Sequence, residues 1–128
     1  MTASKKSRAV PLLLMLAPAA ALDALRRELA AGAFDLVAAV TVAEAEAALR
    51  ASPVEAAVVS PEAPAPWIDE LLACIGKSRP GIPVLAVRHR NADEPAAWRT
   101  RGVGVLREPI LPGALARSVS AVLGLRHT

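Results

Sequence analysis

Polar side chains that could do chemistry stand directly after three short apolar runs of this chain. They are Ser60, Arg88, His89, Arg107 and Glu108. If the runs are parallel strands, these side chains meet at one edge of a sheet, because the carboxyl ends of parallel strands lie together. One interpretation is an opening with a basic rim that binds an anion, such as a partner's carboxylate or a phosphorylated small molecule. The other is a structural ion pair between Arg88 and Glu108 that fills the opening, a contact of about 0–1 kcal/mol when exposed.

Residue types that hold metals or form disulfides are scarce. Cys74 is the single cysteine, which excludes a disulfide framework and a cysteine-based metal site. It lies in an apolar stretch, where a small buried hydrophobe is expected. His89 and His127 are far apart and lack the spacing of metal ligands. The sequence therefore predicts no cofactor, no metal and no catalytic residue, and its cysteine usage is typical of a reducing cytoplasm.

The composition indicates one domain with a well-filled core and no surface for stacking bases. The chain has 128 residues, of which 54% are hydrophobic. Its aromatic residues are Phe34, Trp67 and Trp98. Proteins that bind single-stranded nucleic acid use exposed aromatic side chains, so we do not expect nucleic acid as a partner. The net charge of +3 is spread along the chain and is a weak indication of a polyanionic partner.

The N-terminal segment has two interpretations. Lys5, Lys6 and Arg8 precede an apolar run over residues 9–22, a pattern that also occurs in secretory signals. Asp23 ends this run before the roughly 20 apolar residues that a membrane-spanning helix needs. We favour a first strand over a signal, and we expect no membrane association. The predicted organisation is a disordered basic tail at residues 1–8, a domain over residues 9–125 and a short tail at residues 126–128.

Apolar periodicity predicts strands that alternate with helices. The predicted strands cover residues 9–16, 36–40, 54–59, 84–87 and 103–106. The predicted helices cover residues 19–31, 42–51, 67–77, 95–101 and a last segment that Pro112 opens. Thr41 and Glu44 have the spacing of a capping box at the start of the second helix. Such alternation indicates an α/β fold with a parallel sheet covered on both faces.

Four segments together resemble the receiver (CheY-like) domain of bacterial two-component response regulators. They are residues 32–37 followed by 45–49, then residues 53–64, 82–87 and 101–110. Their order and spacing match the second, third, fourth and fifth strands of that family with their adjoining loops. The resemblance implies a flavodoxin-like (βα)5 fold with strand order 2-1-3-4-5 and helices on both faces. It also implies a role in phosphorelay signal transduction.

The positions that carry phosphoryl chemistry in this family hold other residue types here. Receivers use an acidic pair for magnesium, an aspartate as phosphoacceptor, then a hydroxyl, an aromatic and a lysine. The matching residues of this chain are Met15 and Leu16, Ser60, Arg88, Val105 and Glu108. Magnesium prefers oxygen ligands, which methionine and leucine lack. The resemblance therefore predicts a non-catalytic pseudo-receiver that acts as a protein–protein interaction module; the alternatives are a stand-alone phosphorelay receiver and a sensor of small anionic ligands.

The resemblance also implies a partner and a place where it binds. Receivers commonly dimerise, or bind a kinase, another regulator or an output domain, through the fourth helix, fifth strand and fifth helix. Trp98, Arg99 and Arg101 fall on the predicted fourth helix, and aromatic and Arg side chains are typical interface anchors. Inward packing of Trp98 is the alternative. In this family the peptide bond before the proline that matches Pro109 is usually cis, so Glu108–Pro109 is a candidate cis bond.

Overall fold

The structure, a computed structural model, describes residues 10–124 and contains a parallel sheet between two layers of helix. The strands are β1 (Leu12–Leu16), β2 (Asp35–Ala39), β3 (Ala56–Val59), β4 (Val84–Arg88) and β5 (Val103–Arg107). The helices are α1 (Leu22–Leu29), α2 (Val42–Ala51), α3 (Ala65–Ser78), α4 (Ala96–Thr100) and α5 (Ala114–Val122), with a 3₁₀ turn at Ala19–Ala21. The strand order is β2-β1-β3-β4-β5, and every pair is parallel. The predicted flavodoxin-like fold is confirmed.

The three central strands are buried on both faces, which is why they read as continuous apolar runs. Successive side chains of a strand point to opposite faces of the sheet. In β1, Leu14 and Leu16 pack against α2, α3 and α4, whereas Leu13 and Met15 pack against α1 and α5. The sheet therefore separates two cores, and each strand contributes alternate residues to each.

Local chemistry sets the helix boundaries. Thr41 Oγ1 accepts a hydrogen bond from the Glu44 backbone N–H at 3.1 Å, and Glu44 Oε1 accepts one from the Val40 N–H at 2.9 Å. This is the predicted capping box. At the other end of the chain α5 begins two residues after Pro112, because Gly113 has a left-handed backbone with φ of 80° that the helix cannot include.

Some boundaries differ from the prediction. The first strand starts at Leu12 and not at residue 9, and α3 starts at Ala65, two residues before the predicted start. Pro11 has no N–H to donate to a sheet, although its carbonyl accepts from Asp35 N at 2.9 Å. The predicted tails at residues 1–8 and 126–128 lie outside the described residues. Between residues 10 and 124, no helix has the length and apolar character that a membrane span requires.

Arg79 joins α2, α3 and β3 through backbone carbonyls. Its guanidinium donates to the carbonyl oxygens of Leu49, Ser52 and Val54 at 3.3, 2.8 and 3.2 Å. Two of these carbonyls belong to the C-terminal end of α2, where a helix leaves its last acceptors without internal partners. One side chain thus satisfies a helix end and the segment that leads into β3.

We expect the Arg79→Lys variant to lower the free energy of unfolding by about 1–3 kcal/mol, because an ammonium cannot reach three carbonyls that face a fork of N–H groups. Urea denaturation followed by circular dichroism measures the change. Lys77→Ala, at an exposed position two residues away, is the matched control and should alter stability by less than about 0.5 kcal/mol. Equal effects of the two variants would contradict the role assigned to Arg79.

Candidate functional site

The carboxyl edge of the sheet opens into a cavity of about 630 Å³ on the side of α1 and α5. Its apolar lining is Ala21, Ala24, Leu25, Pro61, Val87, Pro109, Ile110 and Leu115. Its polar lining is Glu28, Ser60, Glu62, Arg90 and Glu108. This is the edge at which ligands bind in open α/β sheets. The cavity is therefore the candidate functional site.

Ser60, at the position that matches a phosphoacceptor, is almost fully buried at the end of β3. Its residue exposure is 2%, and its Oγ accepts a hydrogen bond from the Glu62 backbone N–H at 3.0 Å. Its own N–H donates to the Leu16 carbonyl at 3.0 Å. The hydroxyl thus holds the turn that follows β3.

Met15 and Leu16, which match the acidic pair, are completely buried within β1. Met15 belongs to the core under α1 and α5, and Leu16 to the core under α2 and α3. Neither residue lines the cavity. The side chains at the end of β1 consequently offer no oxygen ligand to a cation. Within residues 10–124, no group of three or more His, Cys, Asp and Glu side chains is arranged to hold a metal ion.

The expected ion pair between Arg88 and Glu108 does not form. Alternate residues of β4 face opposite cores: Val84 and Ala86 face α3 and α4, whereas Val87 faces α1 and α5. Arg88 lies on the same face of the strand as Val84 and Ala86. Its guanidinium therefore points away from the cavity and lies over the Trp98 ring, 5.4 Å from the centroid. The prediction was wrong because neighbouring strand ends do not imply side chains on the same face.

Arg88 is buried without a carboxylate partner. The residue is 8% exposed, and none of the ion pairs within residues 10–124 includes it. Its Nη1 makes one long contact, at 3.5 Å, with the Ala63 carbonyl, and its Nε is buried with no hydrogen-bond partner. The cation therefore depends mainly on the indole face of Trp98, a cation–π contact of about 2 kcal/mol when desolvated.

Trp98 is not an interface anchor, which corrects the sequence-based hypothesis in favour of its alternative. The side chain is fully buried, and its Nε1 donates to Asp69 Oδ1 on α3 at 2.9 Å. It is the one buried residue of the short helix α4. Its flanking partners in that hypothesis, Arg99 and Arg101, remain exposed.

Glu108 pairs with His89 across the ends of β5 and β4. The distance from His89 Nδ1 to Glu108 Oε1 is 2.7 Å, and His89 Nε2 lies 3.4 Å from Glu62 Oε2. One imidazole thus bridges two carboxylates at the mouth of the cavity. Sequence reasoning did not assign Glu62 to the site, although its position just after β3 placed it at this edge. The Glu108–Pro109 peptide bond is cis.

Arg107 also points away from the cavity. Its Nη1 donates to the carbonyls of His89, Arg90 and Ala92 at 3.3, 3.3 and 2.8 Å, and its Nη2 pairs with Glu94 at 3.2 Å. It holds the loop between β4 and α4. With both Arg88 and Arg107 engaged elsewhere, the expected basic rim does not exist. The cavity lining carries three glutamates against one arginine.

Val105 and Cys74 lie away from the cavity. Both are half-buried and pack against the core under α2, α3 and α4. Burial raises the pKa of the Cys74 thiol, with a smaller contribution from the nearby Glu46 carboxylate. A raised pKa lowers the thiolate fraction, so Cys74 is a weak nucleophile at neutral pH.

Comparison with known proteins identifies the fold of the chain but not its family. No protein-family model matches the chain, and no curated protein matches it significantly. Three similar solved structures are a signal receiver domain described as part of a Luxo repressor from Vibrio parahaemolyticus, a CheY-like receiver domain from Methanospirillum hungatei, and the receiver domain of a sensor histidine kinase from Pseudomonas aeruginosa.

Their identities to this chain are 18%, 19% and 14%, with TM-scores of 0.74, 0.74 and 0.70. Each covers 91% of this chain, and the matched shares of those structures are 92%, 95% and 99%. The structure from Pseudomonas aeruginosa has a magnesium ion coordinated in its active-site cleft. The chain therefore has the receiver fold over nearly its whole length.

We expect Arg88→Met to leave the free energy of unfolding unchanged or to raise it by about 1–4 kcal/mol, because methionine of similar length removes a buried, unpaired charge. Chemical denaturation measures this difference. Arg50→Met is the control: Arg50 makes an exposed pair with Glu46, worth under about 1 kcal/mol. A loss of more than 1 kcal/mol in the Arg88 variant alone would mean that the stacking on Trp98 outweighs the desolvation cost.

Proposed function

We propose that this chain is a pseudo-receiver: a regulatory module that acts through protein–protein contacts in two-component signal transduction and accepts no phosphoryl group. The observation that carries the proposal is the state of the residues at the strand ends. The candidate acceptor, Ser60, is 2% exposed with its hydroxyl engaged in a turn, and Met15 and Leu16 are sealed in the core. The receiver fold supports the signalling role.

Electrostatics at the cavity argue against transfer of a phosphoryl group. A receiver that accepts a phosphoryl group needs a metal ion and a positive side chain to offset the charge on the transferring group. Here Glu108 stands where the resemblance expects the positive side chain, and Glu62 lies on the same side of the mouth. Two carboxylates near an incoming phosphate would raise its energy, because like charges repel at short range.

The proposed partner is a kinase, another regulator, an output domain or a second copy of the chain. Arg99 on α4 and Arg101 just after it are exposed, and Arg99 makes only a long contact, at 3.9 Å, with Glu94, so both are available to an acidic surface. Without Trp98 as an anchor, this surface is polar and suits a transient contact. We place the module in the bacterial cytoplasm, which agrees with the single, unpaired cysteine and with the bacterial receivers that share its fold.

Incubation with acetyl phosphate and magnesium, read by intact-protein mass spectrometry, tests the proposal. We expect no gain of a phosphoryl group by the wild type. An ordinary receiver domain with its aspartate and acidic pair, treated in parallel, shows that the reagent is active. A phosphoryl adduct on the wild-type chain would refute the proposal and identify a stand-alone phosphorelay receiver.

The Ser60→Asp variant separates the missing acceptor from the missing metal site. We expect this variant also to remain unmodified, because Met15 and Leu16 still provide no oxygen ligand for magnesium. The same mass measurement applies, with circular dichroism to establish that the variant is folded. Efficient modification of this variant would mean that the acceptor alone was lost.

Light scattering distinguishes a second copy from a different protein as the partner. If the chain self-associates through α4, the Arg99→Glu variant should shift the mass towards the monomer. Arg27→Glu, an equal charge reversal on the exposed face of α1, should not. Association that both variants leave intact would place the contact elsewhere than α4.

A further inference from the structure

The cavity at the carboxyl edge has the size and lining of a small-molecule site. Its volume of about 630 Å³ lies within the roughly 300–1,000 Å³ of typical ligand pockets. Such pockets combine a mostly apolar wall with a few polar groups that orient the ligand. Both parts are present here, and they occupy different sides of the cavity.

The apolar wall comes mainly from α1 and α5. Leu25 on α1 and Leu115 on α5 line the cavity together with Val87 of β4, which belongs to the same core. Ala24 lies one turn before Glu28 on the same face of α1, so the alanine leaves space beside that carboxylate. This wall suits the hydrocarbon part of a ligand.

The polar side carries an excess of negative charge. Glu28, Glu62 and Glu108 face the cavity against Arg90 alone. Glu62 and Glu108 share His89 as a partner at the mouth. This charge balance disfavours anions and favours cations in the cavity.

Glu28 is the cavity carboxylate whose charge no described side chain balances. Its Oε1 is buried and has no hydrogen-bond partner, and no ion pair within residues 10–124 includes its side chain. Buried polar atoms in native proteins nearly always have a partner. Glu28 is a half-buried residue of the cavity lining, so a cationic donor that enters the cavity would compensate its carboxylate. An ammonium group supplies three N–H donors and the opposite charge.

We propose that this cavity binds an organic cation, with an alkyl chain against Leu25, Val87 and Leu115 and an ammonium group at Glu28. The inference goes beyond the proposed function, because an amine site can exist whether or not the chain accepts a phosphoryl group. A free alkylamine and the lysine side chain of a protein partner share this chemistry. We assign the site to a free small molecule, because the cavity is larger than one lysine side chain fills.

Titration calorimetry with n-hexylamine tests the proposal, with n-hexanol and hexanoate as neutral and anionic controls of equal chain length. We expect saturable binding of the amine and at least tenfold weaker binding of both controls. Capped N-acetyl-lysine methylamide represents a partner's side chain: weaker binding than hexylamine supports a small-molecule ligand, and equal binding overturns that assignment. Binding of hexanoate as tight as hexylamine, or no binding of the amine, overturns the cation site.

Variants and methyl spectra locate the binding. Glu28→Gln keeps the size of the side chain and removes its charge, so it should weaken hexylamine at least tenfold. Glu70→Gln, on the exposed face of α3, is the control and should leave the affinity unchanged. In the wild type, hexylamine should shift the methyl resonances of Leu25 and Leu115 and not those of Leu71, which lies in the other core. Unchanged affinity in the Glu28 variant, or shifts absent from Leu25 and Leu115, would refute the assignment.

These results are independent of the phosphorylation test. A chain that accepts no phosphoryl group and binds no amine retains the proposed function without this site. A chain that gains a phosphoryl group and still binds hexylamine through Glu28 loses the proposed function and keeps the site. The two failures therefore have different signatures.

Discussion

The direction in which each strand-end side chain points governs the chemistry of this molecule. A strand in a sheet covered on both faces sends alternate side chains into separate layers. In β4 this alternation sends Val87 towards α1 and α5, and Arg88 towards α3 and α4. The positive charge of Arg88, which we expected at the rim of the cavity, therefore lies buried in the opposite layer.

The buried cation packs on Trp98, which is the one buried residue of the short helix α4. A five-residue helix is too short to be stable in isolation. Trp98 joins it to the rest of the domain, with Arg88 against its ring and Asp69 accepting from its indole N–H. The cation–π contact contributes about 2 kcal/mol, whereas burial of an unpaired ion costs several kcal/mol. The contact between Arg88 and Trp98 thus contributes less free energy than burial of the ion costs. Packing of the indole must therefore supply most of the attachment of α4.

The carboxyl edge has the opposite character. Ser60 closes the turn after β3, Met15 and Leu16 fill the two cores, and the carboxylates of Glu28, Glu62 and Glu108 give the cavity its charge. At this edge three glutamates stand against Arg90, and within residues 10–124 no group of three or more His, Cys, Asp and Glu side chains is arranged to hold a metal ion. A cationic ligand fits the same charges that a phosphate would meet as repulsion. The proposed amine site and the proposed lack of phosphoryl transfer therefore both rest on these cavity side chains, whereas the proposed partner surface at Arg99 lies apart from them.

The sequence by itself determined the elements and their order along the chain, because local patterns mark buried parallel strands, capping boxes and amphipathic helices. The order of the strands in the sheet was an expectation from the resemblance to receiver domains, which the structure confirms. It also marked the residues at the carboxyl edge. Only the tertiary structure decided their partners. Arg88 ends β4 and Glu108 follows β5, yet they face different layers. Trp98 packs inward against Asp69, and His89 joins Glu62 to Glu108. The physical reason is that periodicity fixes which residues share a face, whereas a contact also depends on strand register, loop path and the depth of each side chain.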